Sequence, residues 1–393
     1  MNEKILAYVK QNHAATIELL KKLAAIPAPS GKEDKRAAFI YEWYREQGIP
    51  AHMLRVDTAK NVIYEWNPAG MDKFIVFAAH MDVIFPDEEP FAVTEKDGRL
   101  YAPGVGDDTA NLVNLLLSAK YVTEHADEWQ TNQLPYGILF VANSCEEGLG
   151  NLYGTKLLFK QYEGKIKEFI SFDVYLDTLV EKAVGSCRYQ VKVQTVGGHS
   201  YIDFDETIRN KSAISVLCDL ITEIGAIPIP TQAKTTYNIG KIEGGVSVNT
   251  IAEEASMLVE FRSEDGECLE YMNREFDCIL HRHRSESAPK IGIGKKILGI
   301  RPCNKGVEKA ALYEMTMRHK RILESYTGQA VEPAPSSTDA NIPLSLGITA
   351  NTIGTVSGAG LHTRGEWIEI ASMIPGQCVA IESVTYYLSA FLV

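Results

Sequence analysis

The sequence predicts an α/β protein: a mostly parallel sheet with helices on its faces, interrupted by an inserted split βαβ (ferredoxin-like) domain. Three observations predict it. Apolar runs of strand length alternate with segments of helical period up to about residue 185. Near residue 186 the order becomes β-α-β-β-α-β, with half-exposed strands and amphipathic helices. Around residue 304 the first pattern resumes. At 393 residues the chain is also too long for one ordinary core. One domain is therefore expected from 1–185 together with 304–393, and a second, inserted one from 186–303.

The elements follow in order. FIVFAAHMDVI (74–84) reads as a buried strand running out into a Pro-containing loop. A helix is expected over 109–129, where Leu112, Leu115, Leu116 and Ala119 share a face. YGILFVANSCEE is a strand, a helix follows Gly150, and FISFDVY is the next strand. This rhythm indicates a parallel sheet, in which sites form at the C-terminal strand ends. In the insertion, RYQVKVQTVGG, TTYNIGKIEGG, NTIAEEASMLVEFRS and KIGIGKKILGI (290–300) are strands; NKSAISVLCDLITEIG and ECLEYMNREFDCILHRH are helices. A helix through 307–328 and a strand in GITANTIGTV return the chain to the first domain.

Hydrophobic residues make up 45% and charged residues 23%, the balance of a soluble globular protein. The net charge of −12 argues against nucleic-acid or anionic-membrane partners, which call for a basic face. The N-terminal segment is charged and helical in period, unlike a signal peptide, and no run approaches the ~20 apolar residues of a membrane span. Seven cysteines without a C-x-x-C pair fit a reducing cytoplasm better than a disulfide framework.

Five residues of zinc-ligand type punctuate this framework: His80, Asp107, Glu147, Asp173 and His362. His80, Glu147 and Asp173 fall at strand ends. Asp82 lies two residues beyond His80, on the same side of an extended chain, where it can accept the other ring N–H. Asp107 opens a helix in PGVGDDTANLVN, so plain capping by it or by Asp108 is the alternative. Glu146 and Glu147 are adjacent acids at a buried strand end, which is costly without a cation or a raised pKa. Their roles divide, Glu147 binding metal and Glu146 moving a proton. Asp173 is a lone acid in an apolar strand end, and His362 lies in a glycine-rich loop. Together they read as a two-metal hydrolase with a metal-activated water as nucleophile.

AAHMDVIFP, GVGDDTAN, SCEEGLG, FDVY and GLHTRGEWIEI together resemble the motifs of the zinc aminoacylase and carboxypeptidase family, which includes peptidase T, glutamate carboxypeptidase and succinyl-diaminopimelate desuccinylase. The resemblance covers almost the whole chain, and SSTDANIPLSLGITA is most similar to the peptidase T-like branch. It implies a zinc-exopeptidase-like catalytic domain and an inserted lid and dimerisation domain, hence a homodimer. It also implies that Asp107 bridges two metals, zinc first and cobalt or manganese as substitutes. His80 and Asp173 complete one position, Glu147 and His362 the other, with Asp82 supporting His80 and Glu146 as general base. In the insertion, His199 of TVGGHS matches a histidine that stabilises the oxyanion from the partner subunit, and Asn249 and Arg262 match substrate contacts. Thr109 stands where a lysine is common, and YIDFDETIRN is more acidic than the family pattern. Di- or tripeptides are the expected substrates, N-acyl amino acids the alternative. A related aminopeptidase group shares the ligand order, but the histidine-bearing insertion between Asp173 and His362 favours the first family; a catalytically silent scaffold would have lost Glu146 or several ligands.

Overall fold

The apolar runs at 74–80 and 137–143 are buried along their whole length in the computed structural model, which describes residues 1–129, 134–286 and 291–389. Strand alternation explains why they read as unbroken. Ile75, Phe77 and Ala79 enter one core and Phe74, Val76 and Ala78 another, so both faces of the sheet are covered. Among the described residues this sheet has seven strands, ordered Leu54–Val56, Val62–Trp66, Gly137–Asn143, Phe74–His80, Ile166–Phe172, Thr349–Ile353 and Leu179–Val180. Gly137–Asn143 through Thr349–Ile353 are mutually parallel, and the flanking strands add antiparallel. Helices Glu3–Ala25, Ala110–Glu124 and Met373–Ser389 supply the larger core. Ala110–Glu124 is shorter than the 109–129 expected, ending where polar residues replace the apolar repeat.

The chain divides into two compact units, Met1–Ala183 with Lys305–Val393, and Val184–Asn304. The second is a four-stranded antiparallel sheet ordered Thr235–Gly244, Glu254–Ser263, Gly185–Gln194, Gly292–Arg301. Its last strand was expected over 290–300, and Lys290 lies outside the described residues. One face packs on helices Ala213–Gly225 and Gly266–Glu286 through Val191, Val193, Leu217, Leu220, Met272 and Phe276. No helix among the described residues is long and apolar enough to cross a membrane.

Candidate metal centre

The first unit brings all five ligand-type residues together. His80 is the last residue of its strand, and its Nε2 lies 2.9 Å from Asp107 Oδ1 and 3.9 Å from Asp173 Oδ1. His362 approaches from the opposite side, its Nε2 3.1 Å from Asp107 Oδ2 and 3.1 Å from Glu147 Oε1. Each oxygen of Asp107 thus faces one imidazole, the arrangement a bridging carboxylate requires. Possible ligand atoms of His80, Asp107 and Glu147 lie within 4.8 Å of one another, as do those of His80, Asp108 and Asp173. The backbone is unusual at these points. Cys145 before Glu146, Val174 after Asp173 and His362 itself have φ of 57°, 63° and 60°. For a β-branched valine this is an outlier, of a kind that persists where surrounding structure imposes it and that clusters at functional sites.

Two local readings are refined: the support Asp82 gives His80, and the capping alternative for Asp107 and Asp108. His80 Nδ1 bonds the backbone carbonyl of Asp82 at 3.0 Å, while the Asp82 carboxylate stands 3.5 Å away. That carboxylate mainly accepts from the amides of Glu146 and Glu147, both at 2.9 Å, and from Ser30 Oγ at 2.5 Å. Asp82 therefore ties the His80 loop to the Glu146–Glu147 turn. Neither Asp107 nor Asp108 caps a helix: the helix begins at Ala110 without a side-chain cap, and Asp108 Oδ2 accepts the His80 amide at 2.9 Å.

Three further residues emerge that sequence reasoning did not single out. Glu366 is fully buried and accepts the amides of Gly104, Gly106 and Asp107 at 2.9, 2.9 and 2.8 Å. Asp339, in the SSTDAN segment, accepts from Asn143 Nδ2 at 2.6 Å and Thr155 Oγ1 at 2.5 Å. Arg36, also fully buried, donates to the Met81 carbonyl between His80 and Asp82, and to Thr109 Oγ1 beside Asp108. A buried cation therefore touches Thr109, the position where a lysine had been expected.

Electrostatics favour occupancy by cations. Burial raises Glu147 to about 7 and Asp339 to about 7, helped by Asp107 and Glu146 respectively. Burial raises Glu366 to about 8, with Asp107 adding to it. Burial also lifts Asp108 and Asp173 well above the carboxylate range. At His80 burial opposes the charged ring, but Asp108, Asp107, Asp82 and Asp173 outweigh it. The carboxylates of Asp107 and Glu147, each 3.1 Å from its Nε2, raise His362 to about 10. So many buried carboxylates are costly unless compensating positive charge is present. Glu147 Oε1 and Asp108 Oδ1 are buried without a hydrogen-bond partner; for Glu147 Oε1 the 3.1 Å approach of His362 is therefore an ion-pair distance without hydrogen-bond alignment. Two imidazoles and three carboxylates fit two divalent cations.

His199, Asn249 and Arg262 lie in the second unit, and their hydrogen-bond and ion-pair partners lie there too. His199 Nδ1 accepts the amides of Tyr201 and Ile202 at 3.2 and 3.3 Å, which places the proton of a neutral ring on Nε2. Ser200 N donates to the Asn249 carbonyl at 3.1 Å, so His199 and Asn249 sit on adjoining segments. Arg262 is engaged: Nε and Nη2 meet Glu260 at 2.6 and 3.1 Å, and Arg188 shares that carboxylate. It is not the open fork that a substrate carboxylate would meet.

A parallel sheet whose C-terminal strand ends present His80 and Asp173, with His362 reaching the shared Asp107 from a hairpin and a paired glutamate alongside, has the makings of a metal-dependent hydrolase. The chain belongs to peptidase family M20/M25/M40, whose profile matches residues 76–384. It is 25% identical over 327 residues to acetylornithine deacetylase of Myxococcus xanthus, covering 80% of each chain. It is 24% identical over 311 residues to a probable carboxypeptidase of Trichophyton verrucosum, covering 71% of this chain and 65% of that protein. Aminopeptidase PepT of Bacillus cereus superposes with a TM-score of 0.71 at 19% identity, over 96% of this chain and 99% of that one. The fold is shared with it.

Proposed function

We propose that this protein is a two-zinc exopeptidase that hydrolyses the amide bond of di- or tripeptides. The observation that carries this reading is Asp107, with one oxygen at each imidazole, beside the Glu146–Glu147 pair that Asp82 holds in place. In this reading His80, Asp107 and Asp173 would hold one cation and His362, Asp107 and Glu147 the other. When bound, the cations supply Lewis acidity toward a carbonyl oxygen and make water more acidic. Glu146 takes a proton from the attacking water and delivers it to the leaving amine, its backbone fixed by Asp82. His199 would offer its Nε2–H to the developing oxyanion in the partner subunit's site, as the family resemblance implies. Asn249 orients the substrate backbone, and Arg262 contributes once Glu260 yields or shares its guanidinium.

The same chemistry on an N-acyl amino acid is the second reading, supported by the similarity to acetylornithine deacetylase. A homodimer through the inserted unit is part of the proposal. Its support is the ten-residue edge strand Thr235–Gly244, on which Tyr237 and Ile242 are exposed, since an open edge is a template for pairing. Seven free cysteines support a cytoplasmic location. The test is turnover of purified protein with zinc, cobalt or manganese against di- and tripeptides and N-acetyl amino acids. Peptide turnover abolished by chelation is expected; turnover of acylated amino acids alone favours the second reading, and none on either class overturns both.

A further inference from the structure

His362 stands at the tip of a hairpin formed by strands Gly358–Ala359 and Trp367–Glu369, and residues 360–365 are all exposed. A side chain so placed has little packing to hold it, yet its Nε2 must stay in register with Asp107. Glu366 is the first buried residue after that tip. Its Oε1 accepts two amides, those of Gly106 and Asp107, and its Oε2 accepts that of Gly104. The contact needs a bare backbone, because a Cβ at Gly106 would come within 2.9 Å of Glu366 Oε1. The Glu366 carbonyl also accepts the Ala102 amide at 3.2 Å, and Trp367–Glu369 pairs with Arg99–Tyr101, which precedes the Asp107 loop. The root of the His362 hairpin and the main chain of Asp107 are thereby one hydrogen-bonded piece.

A carboxylate beside Asp107 repels it, and an apolar filler would avoid that cost. What the carboxyl group provides is three hydrogen bonds converging on one loop, a stiffer and more directional attachment than apolar packing gives. We propose that Glu366 is a positioning residue that holds Asp107 in register with His362, and so sets the affinity of the Asp107–Glu147–His362 position selectively. The His80–Asp173 position shares Asp107, but His80 itself faces Asp107 Oδ1 at 2.9 Å and the position's other two ligands sit at strand ends, so it depends on Glu366 far less. The inference rests on the two-cation reading above.

Chelator-stripped wild type, Glu366→Ala and Glu366→Gln are titrated with zinc by calorimetry, with elemental analysis for stoichiometry and thermal unfolding to check folding. Wild type should take up two equivalents. In Glu366→Ala the second equivalent should weaken by about 10–100-fold, the usual cost of losing such a support, while the first weakens by no more than about threefold. Glu366→Gln should lie between, because its amide oxygen keeps the Gly106 and Asp107 amides while its NH2 group opposes that of Gly104. It decides the question if the alanine variant does not fold. A merely structural role would move both affinities together or neither; either result overturns the proposal and leaves the two-cation reading standing. Fewer than two equivalents in wild type would overturn that reading, and this proposal with it.

Discussion

The two halves of the metal centre are built differently. His80 ends a strand buried on both faces and is itself buried, as is Asp173 at the end of the parallel strand Ile166–Phe172. His362 sits on an exposed hairpin with its side chain 51% accessible. The first half is positioned by sheet packing; the second is held by discrete polar attachments. Glu366 fixes the hairpin root, Asp82 fixes the Glu147 amide, and Arg364 reaches Asp87 through two bonds of 3.1 and 2.7 Å. The lesson is that one dinuclear centre can join a rigid position to a tunable one, with Asp107 belonging to both.

That contrast is open to attack by substitution. The largest effect is expected from His80→Ala, which leaves Asp107 and Asp173 without their shared imidazole while keeping the backbone amide that Asp108 accepts. It should abolish uptake of both cations, since Asp107 loses its anchor; His362→Ala should retain one equivalent. Equal losses in the two variants would dissolve the contrast. Glu146→Gln should keep both equivalents, as measured by elemental analysis, while turnover falls by about 10²–10⁴-fold, the range for a lost general base. Near-normal turnover would remove Glu146 from that role. Asp82→Asn turns one acceptor into a donor facing an amide or the Ser30 hydroxyl. Metal affinity or activity should drop by about 10–100-fold, seen by calorimetry and steady-state kinetics. Arg364→Ala should have the smallest effect, at most about fivefold on the second equivalent and vanishing at high salt, because exposed ion pairs are weak and screened. A large, salt-independent loss would mean that the outer attachment, not Glu366, governs the hairpin.

Much of this was legible in the sequence because the relevant physics is local. A strand covered on both faces reads as one apolar run, and a polar residue at its end stands out, as His80 and Asp173 do. The inserted unit announced itself by the change to half-exposed strands. Residues whose partners are remote did not stand out. Arg36 lies in the charged stretch KEDKR and looks like a solvated helix face, yet it is fully buried. Its partners are the backbone carbonyls of Leu23, Ile26 and Met81 and the Thr109 hydroxyl, which no periodicity marks. Glu366 bonds amides 259 to 262 residues away. Its one local signal is an acid followed by the strand-like WIEI, in the same motif that yielded His362. Asp82 illustrates the limit of spacing: two residues place it near His80, but only the fold shows that its carboxylate serves the Glu146–Glu147 amides.

The central claim is that Asp107 is shared by two cations of unequal support. A crystal structure of the zinc-loaded protein, with anomalous scattering recorded at the zinc edge, tests it most directly. Two peaks are expected on either side of Asp107, one contacted by His80 and Asp173 and the other by His362 and Glu147. On lowering the zinc concentration, the His362 peak should lose occupancy first. A single peak, or two peaks that do not share Asp107, would contradict the claim.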